Sequence, residues 1–516
     1  MTKPFQADPS QIQAQAAPPP EQQPVRLILI TVASVLFLAS LGQTIISTAL
    51  PTIVGELNGL DHISWVITAY LLASTVGAPI AGKLGDLFGR KIVLQGAIFI
   101  FLGGALIGGF AQSMGMLVAG RFIQGLGGGS LIVVAMAVVA DFVPARERGR
   151  VQGFLSGVFG LSTVIGPFLG GIIVHEVNWH WIFFVNFPVG ILAFVILSVV
   201  LEPTKARAQR SIDYLGAGFL TALLASLVLT LNLGGALYPW ASAPVLGLIG
   251  FSTLCLIGFI LVERRAKEPI LPLKLFTVNN FLVVNSMGCL VGAAMFGTIT
   301  FMPLFMQMVK GVDPITSGMF VLPMMVGLIG GSITAGRIMS YTGRYKRLPM
   351  MSTGLLCFAM LLLSTLSAQT PLWMIALFMF LAGLGIGPVM SVGVAAVQNA
   401  VPGTVLGVAT ASVNMFRLIG GALGTSAFGA MFAAGVGARM LPGLLPAGQN
   451  VRSLDPVAMA ALEAPVRMIV LDAFTQALHP IFYITAGLAA LACLISTRMH
   501  ELPLATTLPN AQTAAE

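Results

Sequence analysis

Long apolar runs recur along the whole chain, and their length limits the folds that it can adopt. Each run has about 20 residues, the length that a helix needs to cross the hydrocarbon core of a bilayer. Charged residues make up only 9% of the 516 residues, whereas soluble domains carry about 25%. We therefore predict an all-α integral membrane protein, because a helix satisfies its own backbone hydrogen bonds within lipid.

The apolar runs predict fourteen transmembrane helices, and an even number places both termini on the same side. The predicted spans are 27–50, 63–82, 92–112, 116–140, 151–174, 181–201, 214–235, 243–262, 281–308, 316–336, 349–367, 371–397, 405–433 and 475–497. All but six of the 26 Lys and Arg residues fall on the side of the termini; Lys310, Arg439, Arg452 and Arg467 lie opposite, and Arg121 and Arg417 lie within spans. Because cytoplasmic loops collect Lys and Arg, both termini are predicted to be cytoplasmic. The basic net charge is thereby explained without nucleic-acid binding.

An internal repeat relates the two ends of the chain. AGKLGDLFGRK at 81–91 aligns with AGRIMSYTGRYK at 335–346 after a shift of 254 residues, and IGPFLG at 165–170 aligns with IGGALG at 419–424 at the same shift. Two matches at one offset predict a duplicated six-helix unit, with the seventh and eighth spans outside both copies. Transporters are commonly built from such repeats, with the substrate site between the halves. The repeat therefore favours a transporter.

The repeat and the composition together predict five segments. They are a disordered cytoplasmic tail at 1–26, an N-terminal six-helix bundle at 27–201, a linker with two extra transmembrane helices at 202–275, a C-terminal six-helix bundle at 276–500 with an extracellular loop at 434–474, and a disordered tail at 501–516. The first tail is rich in Gln, Ala and Pro and has no apolar core, so it is not a signal peptide.

The loop after the second span combines glycines with opposite charges: Gly82, Asp86, Gly89 and Arg90. Glycine allows a tight turn and close helix approach, and Asp86 can pair with Arg90 or face a helix N-terminus. The loop resembles the signature motif of the major facilitator superfamily. The resemblance implies that Asp86, Arg90 and Asp141 form a conformational latch at the cytoplasmic face. The alternative is a basic loop that only sets topology.

The repeat copy of this loop has Ser340 where Asp86 stands, so the latch is predicted to be one-sided. A second motif, LVAGRFIQG at 117–125, resembles the fourth-span motif of the same superfamily. This resemblance implies a role for Arg121, with Gln124, in proton transfer. An Arg inside a span is costly and usually functional, but it can also be structural, bonded to carbonyl groups and to Gln124.

The fifth span carries an ordered glycine pattern: Gly166, Pro167, Gly170 and Gly171. It resembles the antiporter motif of drug:proton antiporters, and the alternative is generic close packing of helices. LGQTIISTALPTIVGEL at 41–57, NWHWIFFVNFPVG at 178–190, IDYLGAG at 212–218 and FRLIGGALG at 416–424 resemble the 14-span drug:proton antiporter family. Over residues 27–500 the resemblance implies the major facilitator fold, two six-helix bundles plus two extra central helices. It also implies multidrug efflux by proton antiport across the cell (inner) membrane.

One departure from that family concerns the first span, where Gly42 stands at the position of an expected Asp. All 18 Asp and Glu residues fall in predicted tails, loops or span ends, although a buried carboxylate is the usual proton carrier. Asp86, Asp141 or Glu56 could carry the proton, or coupling is altered. A dedicated exporter or facilitator of one metabolite, such as a siderophore, is therefore an alternative. A membrane sensor or scaffold is a third, and no residues support an enzyme.

Polar, methionine and aromatic side chains on the predicted cavity-lining spans are candidates for substrate contact. They are Gln43, Thr44, Asn285, Asn414, Arg417, Met302 and Phe305. Each has a packing role as its alternative, although Met suits promiscuous apolar pockets. Without a carboxylate in the cavity, neutral, lipophilic or anionic substrates are expected. We predict no metal or cofactor, and as partners a small-molecule substrate, protons, the lipid bilayer and, where the cell has an outer membrane, a periplasmic adaptor.

Overall fold

A computed structural model describes residues 25–57, 63–202, 213–234, 238–312, 314–439 and 464–504. Within these ranges the chain is built from α-helices and short 3₁₀ turns, and the only strand-like contact there is an isolated bridge between Gly234 and Tyr238. The predicted all-α fold is confirmed. The predicted tails at 1–26 and 501–516 lie largely outside the described residues.

Fourteen long helices follow the predicted spans in order. They are α1 Val25–Thr44, α2 Ile63–Phe88, α3 Arg90–Gly109, α4 Met114–Phe142, α5 Ala145–Glu176, α6 Asn186–Val200, α7 Tyr214–Leu233, α8 Ala243–Glu263, α9 Asn279–Met308, α10 Leu322–Thr342, α11 Arg347–Leu363, α12 Leu372–Ala400, α13 Leu406–Arg439 and α14 Ala464–Ser496. In the described ranges, 13 helical stretches are long and apolar enough to cross a membrane. α11 is shorter, with 17 residues.

The first predicted span, 27–50, is interrupted in the structure. α1 ends at Thr44, a 3₁₀ turn occupies Ile45–Thr48, and a new helix covers Leu50–Leu57. Pro51 explains the new start, because proline lacks an N–H and is favoured in the first turn of a helix. Two further short helices, Trp181–Phe184 and Pro314–Met319, precede α6 and α10.

The predicted outer loop at 434–474 is shorter in the structure. α13 continues to Arg439 and α14 begins at Ala464, while residues 440–463 lie outside the described ranges. Val470 and Phe474 in the first turns of α14 are buried. Their burial explains the added turns, because tertiary packing of an apolar face supplies most of the stability of a helix.

The two halves contain separate large apolar clusters, and the larger one also includes residues of α2, α7 and α8. Leu36, Phe101 and Val138 belong to the core of α1–α6, and Phe281 and Met302 belong to the larger core around α9–α14. The helices α7 and α8 pack on each other, with Ser252 Oγ donating to Ser226 Oγ at 2.8 Å, and α7 also contacts α2 and α13.

Most basic residues gather at one end of the bundle, which we call the basic end. It comprises residues 83–91, 142–150, 264–278, 337–347 and 497–501. Contacts join these segments: Lys83 Nζ lies 2.9 Å from Glu268 Oε2, and Tyr345 Oη donates to the carbonyl of His500 at 3.0 Å. The described loops that were predicted to share one side therefore meet at one end.

Candidate functional site

Three charged side chains meet where α2 turns into α3. Arg90 Nη2 lies 2.6 Å from Asp86 Oδ1, and Arg90 Nε donates to Asp141 Oδ2 at 3.0 Å. Gly89 has φ of +92°, a conformation that only glycine adopts without strain. This glycine reverses the chain so that Arg90 begins α3 between the two carboxylates. The structure thus brings together the three residues predicted to form the latch.

Asp86 also reaches the other half of the molecule. Its carboxylate accepts hydrogen bonds from the backbone N–H groups of Gly407 at 3.1 Å and Val408 at 3.2 Å, in the first turn of α13. Its side chain is only 2% exposed. A carboxylate at a helix N-terminus is stabilised by the free N–H groups and by the helix dipole. Asp86 therefore ties the N-terminal bundle to the C-terminal bundle at the basic end.

The shift of 254 residues relates the contact between α2 and α13 to the contact between α5 and α10. At this second contact a positive side chain joins the two halves. Arg146, in the first turn of α5, donates from Nε to the carbonyl of Ser340 at 2.8 Å and from Nη2 to that of Tyr341 at 3.0 Å. These carbonyls belong to the last turn of α10, where a cation is favourable. Arg146 was not among the residues predicted to form the latch. The only available signal was its place in a basic run next to the latch.

Glycine pairs bring the two bundles into backbone contact beside these charges. A Cβ atom added at Gly82 would stand 2.8 Å from the carbonyl oxygen of Gly407, and one added at Gly336 would clash with the carbonyl of Gly149. Gly82 and Gly336 are the pair related by the 254-residue shift. Any side chain at these positions would push the helices apart, so the basic end is closed by small residues.

Arg121 is completely enclosed within the N-terminal bundle. Nη1 donates to the carbonyl of Gly42 at 2.8 Å and to Gln124 Oε1 at 2.7 Å, and the guanidinium lies 4.3 Å from the centre of the Tyr70 ring. Nε lies 3.4 Å from the carbonyl of Val66. These contacts are the ones expected if Arg121 has a structural role. The role of Arg121 in proton transfer stays a prediction.

The space beside Gly42 is filled by an aromatic ring. A Cβ atom at Gly42 would clash with Phe101 Cζ and would stand 3.2 Å from Gln124 Nε2. That Nε2 is buried and has no hydrogen-bond partner among the described residues. Phe101 therefore occupies the space that a side chain at position 42 would need, and the Gln124 amide faces the same point.

The three carboxylates predicted as proton carriers have contacts elsewhere and none with this pocket. Asp86 and Asp141 share Arg90 at the basic end, while Glu56 Oε2 accepts from Trp179 Nε1 at 2.8 Å at the opposite end. Within the described ranges, none of the ion pairs involves Arg121. A proton carried by these residues would therefore act at the ends of the bundle.

Four of the candidate cavity residues differ in how deeply they are buried. Met302 and Phe305 are completely buried in the core of the C-terminal bundle, and their role in substrate contact stays a prediction. Asn285 is also buried, and its Nδ2 donates to the carbonyl of Phe281 at 2.7 Å. Gln43 is half-buried. The sequence did not predict which side of its helix each residue faces, because these helices are apolar on both the protein and the lipid side.

Thr44 and the antiporter motif meet in the structure. Thr44 Oγ1 donates to the carbonyls of Ser40 at 3.1 Å and Ser162 at 3.2 Å. A Cβ atom at Gly166 would clash with Thr44 Oγ1, whereas one at Gly171 would meet nothing within 4 Å. Gly166 thus lets α5 approach the end of α1. Pro167 and Gly170 lie in the same unbroken helix.

Arg417 and Asn414 lie together on α13. Arg417 Nη2 donates to Asn414 Oδ1, and Nη1 lies 3.0 Å from the sulfur of Met390 on α12. The two predicted cavity residues thus form one contact, at the wall of a groove between α9, α12 and α13.

Comparison with known proteins places this fold in a family. Residues 32–425 match the profile of the Major Facilitator Superfamily. The multidrug transporter protein MdtP of Bacillus subtilis is 39% identical over 428 residues, which cover 82% of this chain and 79% of MdtP. An uncharacterized MFS-type transporter of Mycobacterium tuberculosis is 37% identical over 488 residues, which cover 94% of this chain and 71% of that protein.

A solved structure agrees with the sequence comparison at the level of the fold. The crystal structure of the human organic anion transporter MFSD10 matches with a TM-score of 0.64 at 16% identity, covering 92% of this chain and 100% of that chain. The chain belongs to the major facilitator superfamily, and it is a multi-pass membrane transporter for small molecules and not an enzyme.

Proposed function

We propose that this transporter exports lipophilic, drug-like compounds from the cell by alternating access, as a proton antiporter. The name of MdtP, a multidrug transporter with 39% identity, supports the substrate range. In this proposal the protein lies in the cell membrane, which is the inner membrane where two are present. There a periplasmic adaptor is a further candidate partner.

The closed basic end carries the proposal. In alternating access, the substrate site between the halves opens to one side at a time. Here two glycine contacts, between Gly82 and Gly407 and between Gly336 and Gly149, join the halves at one end. We propose that this end is cytoplasmic, as the positive charges favour, and that residues 27–201 and 276–500 move as the two halves around the helix pair at 202–275.

Proton coupling is proposed to act through this closed end. Protonation of Asp86 would remove the charge that faces the N-terminus of α13 and the charge that pairs with Arg90. Both losses weaken the closed state, because each contact depends on an ionised carboxylate. A proton arriving at Asp86 or Asp141 would thus favour opening, and Glu56 could serve the same purpose at the other end.

A second candidate function is a dedicated exporter or facilitator of one metabolite with altered proton coupling. The observation that favours it is the packing around Gly42. Phe101 fills the site where a carboxylate would stand, and Arg121 is bonded to the Gly42 carbonyl and to Gln124. A bundle packed in this way has no carboxylate in contact with Arg121 among its described residues.

Two measurements test the proposal. The first is growth of a pump-deficient host that expresses the protein, challenged with a panel of toxic compounds. The proposal predicts raised resistance to several unrelated compounds, and unchanged susceptibility to all of them, with the protein present in the membrane, would contradict it. The second is efflux from proteoliposomes with and without an imposed pH gradient. Efflux that ignores the gradient would favour the facilitator.

A further inference from the structure

Two carboxylates meet where α7 begins and α8 ends, next to the basic end of the bundle. Asp213 caps α7, and Glu263 is the last residue of α8. A Cβ atom added at Gly216 would clash with Asp213 Oδ2 and would stand 3.2 Å from Glu263 Oε1. The two side chains therefore face the same point, and the absence of a side chain at Gly216 leaves room for both.

The backbone holds one oxygen of each carboxylate. Asp213 Oδ1 accepts from the N–H of Gly216 at 2.8 Å. Glu263 Oε1 accepts from the N–H groups of Ile270 at 3.0 Å and Leu271 at 3.2 Å, in the turn that follows α8. These hydrogen bonds fix the orientation of both side chains.

The second oxygen of each carboxylate is buried without a hydrogen-bond partner. Among the residues that the structure describes, nothing donates to Asp213 Oδ2 or to Glu263 Oε2. Glu263 is only 5% exposed. Two ionised carboxylates at one site repel each other, and a buried charged group without a partner is costly. A single proton between them relieves both effects, because it turns one of the two acceptors into a donor.

The helix ends favour Glu263 as the residue that carries this proton. Asp213 stands at the N-terminus of α7, where a negative charge is stabilised, and Glu263 stands at the C-terminus of α8, where a negative charge is disfavoured. A neutral Glu263 can still accept both backbone N–H groups at Oε1, and its Oε2 becomes a donor. Every oxygen of the pair then has a partner.

The charged groups around the pair do not take the place of this proton. Lys83 on α2 interacts electrostatically with Glu263, but its Nζ lies 2.9 Å from Glu268 Oε2 and is paired there. None of the ion pairs within the described ranges includes Asp213 or Glu263. Three further basic residues lie on the turn after α8 and are exposed: Arg264, Arg265 and Lys267.

We propose that Asp213 and Glu263 form a proton-binding site of the extra helix pair, in which Glu263 Oε2 holds one proton and donates it to Asp213 Oδ2. Asp213 is half-buried, so the proton can exchange with water at the edge of the site. The site is separate from Asp86, Asp141 and Glu56, and it does not depend on what the protein exports.

The proton also holds the turn after α8 against α2. Glu263 binds the backbone of Ile270 and Leu271, and Glu268 in the same turn reaches Lys83. Without the proton, repulsion between the two carboxylates loosens this turn. Docking of the turn is therefore favoured at low pH and is lost as the pH rises and the pair releases its proton.

Infrared spectroscopy of the full chain in lipid nanodiscs tests the site, because a protonated carboxyl group has a C=O band distinct from that of a carboxylate. At neutral pH, the difference spectrum between the parent chain and Glu263→Gln should show one carboxylic acid band that the variant has lost. The amide of Gln can donate to Asp213 in place of the proton, so the fold should be retained. Asp213→Asn should lose the same band. The matched control is Glu147→Gln, at an exposed acid in the first turn of α5, which should keep it.

A further variant keeps the test decisive if Asp213→Asn fails to fold. Asp213→Ser retains a residue that caps helices and should lose the band as well. A parent chain without the band, as two carboxylates bridged by water would give, or a band that survives substitution at both positions, would overturn the proposal.

A second measurement follows the turn itself. Ile270, which is 1% exposed, is replaced by cysteine in a chain whose four native cysteines are replaced by serine. Its rate of reaction with N-ethylmaleimide is divided by that of a cysteine at exposed position 267, which removes the effect of pH on thiol reactivity. Raising the pH should increase this ratio about five-fold or more in the parent chain and leave it unchanged in Glu263→Gln. An equal increase in both chains would contradict the role of the proton in holding the turn.

Discussion

Substitution of Gly82 by alanine should destabilise the closed state of the basic end. The added Cβ atom would stand 2.8 Å from the carbonyl oxygen and 3.0 Å from the carbonyl carbon of Gly407, and 3.2 Å from the Cβ of Ala411. All three neighbours belong to α13, on the other side of the interface between the halves. The contact exists only while the two bundles touch, so an open state would not be affected.

The magnitude follows from this overlap. Ordinary contacts of a Cβ atom begin near 3.4 Å, so α2 and α13 must separate by several tenths of an ångström to accept the methyl group. Overpacking of this kind costs about 1–3 kcal/mol. A free-energy change of that size shifts an equilibrium between two states by roughly 5- to 150-fold. Gly336→Ala, which clashes with Gly149 at the contact between α5 and α10, should act in the same direction.

The assay measures how often the basic end opens. Ala137 is fully buried and packs with Ala140 and Leu406 between α4 and α13. A single cysteine at position 137, in a chain whose four native cysteines are replaced by serine, would react with N-ethylmaleimide only when the end opens. When opening is fast relative to labelling, the rate is proportional to the open population. Gly82→Ala should therefore raise the labelling rate by the factor above.

The control is Gly250→Ala on α8, where a Cβ atom meets nothing within 4 Å. Alanine is a better helix former than glycine by roughly 0.5–1 kcal/mol, so this variant reports that effect alone. Its labelling rate should equal that of the parent chain. If Gly82→Ala labels no faster than Gly250→Ala, the glycine contact does not hold the end closed and our explanation of the closure is wrong.

Three further predictions concern the charges around this end and the pocket at Gly42. Asp86→Asn keeps the shape but loses the charge facing α13, so labelling at position 137 should rise about ten-fold. Arg146→Gln loses both hydrogen bonds to the last turn of α10, and the same assay should show a smaller rise of about three- to ten-fold; no rise would remove Arg146 from the closure. Gly42→Asp should reduce the yield of folded protein unless Phe101→Ala makes room. Only the double variant should give efflux that responds more steeply to an imposed pH gradient. An unchanged response in that variant would contradict the connection between the missing carboxylate at Gly42 and altered proton coupling.

Local sequence patterns predicted the helices and the meeting of Asp86, Arg90 and Asp141, because short stretches of sequence and the topology determine both. The spans follow from apolar length, and Asp86 and Arg90 are four residues apart at a helix boundary. Asp141 joins them because the second and fourth spans end on the same side. In each case topology alone brings the groups together.

Contacts between the two halves were not predictable in the same way. Arg146 lies 194 residues from Ser340, and its acceptors are backbone carbonyls, which carry no residue signature. The orientation of Met302 and Phe305 was equally hidden, because an apolar helix in lipid has no polar face to mark its outside. Phe101, which fills the site beside Gly42, stands in an apolar run of α3 like any other residue there.

Among the described residues, the contact between α2 and α13 and the contact between α5 and α10 use helix termini, and no acid–base pair joins the two halves at the basic end. Asp86 faces the N-terminus of α13, and Arg146 faces the C-terminus of α10. Interactions of charges with helix ends are worth about 0.3–1 kcal/mol, rising to about 2 where they are partly buried, so each of these two contacts lies within the few kcal/mol that separate conformational states. Arginine stays protonated in proteins, so a proton cannot weaken the contact of Arg146. Of these two contacts, a proton can weaken only that of Asp86. In the proposed proton antiport, a proton at this end should therefore release α2 from α13 before it releases α5 from α10.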